Sequence, residues 1–111
     1  SQNKSEELNL NSEELLAIKA AENYIEVYAN ANEKVNKTIL RNTLKKAEES
    51  LIEFENITKC HRSYLVNLDK VIHFSGNAHG LTLSFGESVE PSVPVSRAYV
   101  KAIKEGLNKL N

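Results

Sequence analysis

The apolar residues of this chain come almost entirely in short runs, alternating or β-branched, and polar turn-forming residues close each run before it grows long. Runs of that kind suit half-buried strands. Residues 15–19 and 24–29 are two such runs. Ala20-Ala21-Glu22-Asn23 joins them, which predicts a hairpin with Asn23 at its tip. Turn geometry is the simplest role for an asparagine there. Residues 30–33 lead to a third run at 35–41, where Thr38, Ile39 and Leu40 favour a strand. Residues 71–74 and 81–85 flank Ser75-Gly76-Asn77-Ala78-His79-Gly80, which reads as a hairpin connection. Pro91 and Pro94 make 92–95 an extended edge segment.

The hydrophobic period lengthens to helical steps twice. Leu44, Ala47 and Leu51 predict an amphipathic helix over 43–52, with Asn42 or Thr43 as its N-cap. Lys45 and Lys46 precede Glu48 and Glu49, an order that opposes the helix dipole, so packing must hold this helix. Those charges read most simply as a solvated face. Val100, Ile103, Leu107 and Leu110 form the apolar stripe of a second helix near 96–108, capped by Ser96, with Arg97, Lys101 and Lys104 on another face. Gly106 weakens its last turns by about 1 kcal/mol relative to alanine.

With 111 residues the chain holds one domain. Residues 1–12 read as a linker or mobile lead, with a short strand possible at 8–10, and 13–111 as the domain. The absence of an initiator methionine at Ser1 points to a fragment or a processed chain. No apolar run approaches the roughly 20 residues that span a bilayer, and no signal peptide opens the chain, so a soluble, cytoplasmic protein is expected. One cysteine leaves no internal disulfide and no cysteine cluster for zinc. The formal net charge of -1 argues mildly against nucleic acid, but the charges are segregated. The first 22 residues are acid-rich, whereas 95–111 carry Arg97, Lys101, Lys104 and Lys109 against Glu105 alone. Segregation of this kind creates a basic face on a neutral chain.

Residues 60–67, Cys-His-Arg-Ser-Tyr-Leu-Val-Asn, concentrate polar tips among apolar anchors. Cys60-His61 invites a cysteine nucleophile, but neighbours on an extended chain project to opposite faces and cysteine is usually a packed thiol. His61, His73 and His79 match no short-range metal-ligand spacing. No dinucleotide, nucleoside triphosphate or acyl-transfer motif occurs. No catalytic residue, metal, cofactor or small-molecule substrate is therefore expected. Asn23, Lys59, His61, Arg62, Ser63, Ser96 and Arg97 remain as polar tips on loops and element ends. Arginine bonds guanine bidentately, asparagine reads adenine, and lysine or serine holds phosphate, so the set suits duplex DNA. A non-catalytic β sensor or a protein-docking module is the alternative.

Cys60-His61-Arg62-Ser63-Tyr64-Leu65-Val66-Asn67-Leu68 with Val71-Ile72, then Val93-Pro94-Val95-Ser96-Arg97 with Tyr99, resembles the LytTR family of bacterial DNA-binding domains. The Glu22-Asn23-Tyr24-Ile25 tip resembles an earlier hairpin of that family, and the likeness extends over about 15–107. It implies a mainly β fold, an elongated stack of small sheets with about ten short strands and two short helices near 43–52 and 96–108. It also implies a transcriptional regulator that reads DNA with loops and element ends. Base-reading roles fall on Asn23, Arg62 and Arg97. Charge and proximity add Lys59, Ser63, Ser96 and Lys101 as backbone contacts, while His61, Tyr64, Val66 and Asn67 shape and pack the motif. Members of the family usually join this domain to a receiver domain or a membrane segment, as in the response regulators of two-component systems. Two copies on a repeated DNA site are expected.

Overall fold

The computed structural model describes residues 11–86 and 90–109. The segment 8–10, read above as a strand, lies outside them. Among the described residues, eight strands form two antiparallel sheets. The larger has the order β3-β2-β1-β5-β4, from β1 (Leu15–Ala20), β2 (Ile25–Ala31), β3 (Lys34–Leu40), β4 (Ile57–His61) and β5 (Tyr64–Asn67). The smaller has the order β6-β7-β8, from β6 (His73–Asn77), β7 (Gly80–Ser84) and β8 (Val93–Ser96). Helix α1 is Leu44–Ser50 and α2 is Val100–Lys109, with 3-10 turns at Leu68–Lys70 and Arg97–Tyr99.

The larger sheet is covered on both faces across β1, β5 and β4, whose residues divide between two apolar sets, while its edge strand β3 is largely exposed. Ile18, Ile25, Val27 and Leu65 pack under Leu44, Ala47 and Leu51 of α1. Ala17, Cys60 and Val66 face the other way and meet Leu83, Val93 and Val95 of the smaller sheet and Val100 and Ile103 of α2. Thr43 is the N-cap of α1, its hydroxyl accepting from the Lys46 N–H at 3.2 Å. The last helix begins differently from expectation: Ser96 precedes a 3-10 turn, and its side chain makes no capping hydrogen bond. Gly106 stands where α2 passes Leu68; a Cβ there would lie 2.6 Å from Leu68 Cδ1.

Two connections are tighter than the sequence pattern implies. The β2–β3 link is a two-residue turn, Asn32-Glu33, with both φ angles positive at 55° and 65°. Such a turn matches strand twist, and asparagine tolerates it, but glutamate is strained there. Glu33→Gly is expected to stabilise the chain by about 0.5–1 kcal/mol, read as a raised urea midpoint at unchanged m-value. The segment 75–80 is mostly strand, leaving Ala78-His79 as the turn, where Asn77 Oδ1 accepts from the His79 N–H at 2.8 Å. Gly76 at φ 125° lets the two strands approach, since a Cβ there would run into the Gly80 carbonyl.

Candidate nucleic-acid interface

The 60–67 stretch is itself a hairpin: β4 ends at Cys60-His61, Arg62-Ser63 make the turn, and β5 follows. The pairings Lys19↔Tyr64, Ala20↔Ile25, Ile25↔Leu40 and His61↔Tyr64 bring four chain segments to one end of the larger sheet. That end carries the 21–24 loop with Asn23, the Arg62-Ser63 turn, and Arg41 just beyond β3. Two hydrogen bonds hold the loops. The Ala21 N–H closes the first on the Tyr24 carbonyl at 2.9 Å, and the Ala20 N–H ties it to the Ser63 carbonyl at 2.7 Å. Asn23, Arg41 and Arg62 are exposed.

His61 shapes the turn from within. Its Nδ1 accepts from the Ser63 N–H at 3.1 Å, and its ring meets Tyr64 edge-on, with centroids 5.5 Å apart. Lys19 Nζ lies 6.0 Å from the centroid of the same Tyr64 ring. A polar side chain thus closes a turn that contains no glycine, proline or asparagine.

The strand bulges between Lys59 and His61, so Cys60 and His61 do not simply alternate. Their chemistry is nonetheless separate. The buried Cys60 thiol points at the carbonyls of Pro94, at 3.6 Å, and Tyr64, at 3.9 Å, while His61 serves its own turn. Burial pushes the thiol up to about 12, which keeps it protonated and non-nucleophilic at neutral pH. A folded-state value above the ordinary 9.0 means that the thiol's contribution to stability is complete below pH 9.0 and is lost toward pH 12. Alkaline unfolding should therefore begin to steepen above about pH 9, and Cys60→Ala should flatten that limb. Iodoacetamide should label the native thiol only at the rate of unfolding.

Arg97 is exposed on the 3-10 turn that packs, with β8, against β4, the strand that delivers Arg62. Lys101 follows, exposed at the start of α2. Ser63 and Ser96 are half-buried. Lys59 is half-buried too, registered with Leu65 and so on the α1 side of the sheet. The structure thus places Asn23, Arg62 and Ser63 at one sheet end, with Ser96, Arg97 and Lys101 on the elements flanking β4. Arg41 was missed as a candidate. The signal was available, because a meander of three strands returns the end of the third to the end of the first.

Asn67, at the opposite end of β5, is a buried hub. Its Nδ2 donates to the carbonyls of Leu15 at 2.8 Å and Ser12 at 3.1 Å; its Oδ1 accepts from Asn56 Nδ2 at 2.7 Å and the Asp69 N–H at 3.1 Å. Among the described residues no cluster of His, Cys, Asp and Glu is placed to hold a metal ion, and no helix is long and apolar enough to cross a membrane.

A family model described as the LytTr DNA-binding domain matches residues 5–108. The fold is similar to a solved structure described as the LytTr DNA-binding domain of a methyl-accepting/DNA response regulator from Bacillus cereus. That similarity has a TM-score of 0.66 at 22% identity and covers 90% of this chain and 86% of the other. No curated protein matches the chain.

Proposed function

This chain belongs to the LytTr DNA-binding domain family, and from that premise we propose that it is the DNA-reading output domain of a bacterial transcriptional regulator acting in the cytoplasm. The observation that carries the reading is the shared sheet end, where the Ala20–Ser63 hydrogen bond sets the Asn23 loop beside the Arg62-Ser63 turn. Loops enter the grooves, Asn23, Arg62 and Arg97 meet base edges, and Lys59, Ser63, Ser96 and Lys101 meet phosphates. Two copies bind a repeated site, and a receiver or membrane domain joined to this one in the longer protein supplies the signal.

Selection from a random duplex pool, followed by footprinting on the enriched sequences, tests the proposal. A discrete protected site at low salt is expected. Absence of any enrichment or protection at low salt would end the reading.

A further inference from the structure

We infer that β6 is a docking edge for a second copy of this chain, the two copies pairing antiparallel about a twofold axis at Phe74. Such a pair supplies the two copies that the proposed function sets on a repeated site, but it is built on a sheet edge and needs no DNA to form.

Two open sheets have four edge strands, and an open edge invites pairing unless charge, proline or packing blunts it. Among the described residues three of the four are blunted. β3 carries Lys34 and Lys37, β8 carries Pro94, and β4 carries Lys59 and packs against β8, with Cys60 Sγ 3.6 Å from the Pro94 carbonyl. β6, His73-Phe74-Ser75-Gly76-Asn77, has no lysine, arginine, carboxylate or proline, and all five of its residues are exposed. Phe74 is 42% exposed, and Ile72, just before the strand, is 73% exposed.

The register of β6 on β7 fixes which backbone groups are free. Asn77 and Gly80 flank a two-residue turn and so form the hydrogen-bonded pair that closes it. Pairs of that kind alternate along the ladder, which turns the N–H and C=O of His73, Ser75 and Asn77 toward β7 and those of Phe74 and Gly76 outward. The Ser84 hydroxyl, donating to the His73 carbonyl at 3.3 Å, agrees with that alternation. Phe74 is registered with buried Leu83, so its ring extends the core-facing side of the sheet past the part that is covered. A twofold axis at Phe74 lets each copy donate its Phe74 N–H to the other's Phe74 carbonyl, sets the two rings side by side and leaves His73 opposite Ser75 of the second copy. The pairing is closed: it uses both open edges and leaves only blunted ones, so it gives a dimer and not a fibre. A strand pair this short buries less than a standard interface of roughly 1,600 Å², so the dimer is weak and a crosslink traps it best.

Opposed residues of a hydrogen-bonded pair have Cα atoms about 5.5 Å apart, within disulfide reach. Phe74→Cys should therefore crosslink under mild oxidation, with His79→Cys, exposed in the turn roughly 15 Å along the strand from the axis, as its control. Cys60 is buried and does not compete. The expected result without DNA is crosslinking of Phe74→Cys about tenfold or more faster than of His79→Cys. Sedimentation of the parent chain should show weak, concentration-dependent dimers. Ser75→Lys should abolish them at an unchanged thermal midpoint, because Ser75 is exposed, is registered with exposed Thr82 and would put a cation on the edge. Equal crosslinking rates for the two cysteine variants would overturn the inference. Dimers that survive Ser75→Lys would overturn it too, by placing the second copy elsewhere, and so would a parent chain that stays monomeric at every concentration. Both measurements are made without DNA, so a chain that enriches no duplex would sink the DNA reading and leave the pairing standing.

Discussion

Arg62→Ala and Arg97→Ala should each cost about 1–3 kcal/mol on a selected site, roughly five- to 150-fold in affinity, and should cost much less on random duplex. Both side chains are exposed, so neither substitution should move the thermal unfolding midpoint appreciably. A guanidinium that bonds guanine O6 and N7 together is lost as a pair of directed contacts, whereas one resting on phosphate is lost as a charge. Arg62→Lys separates the two cases: retained charge with lost discrimination marks a base reader. The turn that presents Arg62 is closed by His61 Nδ1 and anchored to β1, so the side chain starts from a fixed base and little ordering entropy is spent on binding. An equal loss on random and selected duplexes would move Arg62 or Arg97 to the backbone contacts. Lys101→Ala is expected to give that sequence-independent pattern from the outset.

The second large effect is on stability. Asn67→Ala should destabilise the chain by about 3–4 kcal/mol, because one substitution leaves the Leu15 and Ser12 carbonyls, Asn56 Nδ2 and the Asp69 N–H without their partner. In a domain of this size that lowers the unfolding midpoint by roughly 12–25 °C. Asn56→Ala removes one partner only and should cost about 1–2 kcal/mol. Asn67→Asp is informative, since it keeps the acceptor but turns an oxygen toward two carbonyls, and it should be about as damaging as alanine near neutral pH. Asn67 lies at the sheet end away from Arg62, so the folded fraction of each variant should bind DNA with parental affinity. A small stability loss in Asn67→Ala would mean that water replaces the side chain, and the hub would be less important than its four bonds imply.

Much of the fold was legible because its signals are local. The runs at 15–19, 24–29 and 35–41 became β1, β2 and β3 with ends shifted by a residue or two, and the three- and four-residue steps of Leu44, Ala47 and Leu51 marked α1. The hairpin within 60–67 was not legible. Arg62-Ser63 has no glycine, proline or asparagine, and the turn is held by a histidine ring and the end of β1. The 75–80 segment misled for the converse reason, since its glycine and asparagine are used within strands and at the entry to a shorter turn. Ser96 had the right chemistry for a cap, yet the chain there turns as a 3-10 segment before α2 begins.

The same division holds at the candidate interface. The sequence by itself determined the residue types, the mainly β character and the family resemblance, because period, turn chemistry and motif order are properties of neighbouring residues. Only the tertiary structure decided which of those residues share a surface. β1 pairs with the distant β5 as well as with its neighbour β2, because that second pairing closes one sheet with two apolar faces, one for α1 and one for the smaller sheet and α2. Burying both faces at once is a property of the whole chain. It places the Asn23 loop beside Arg62 and brings Arg41, ordinary in the sequence, to the same end of the sheet.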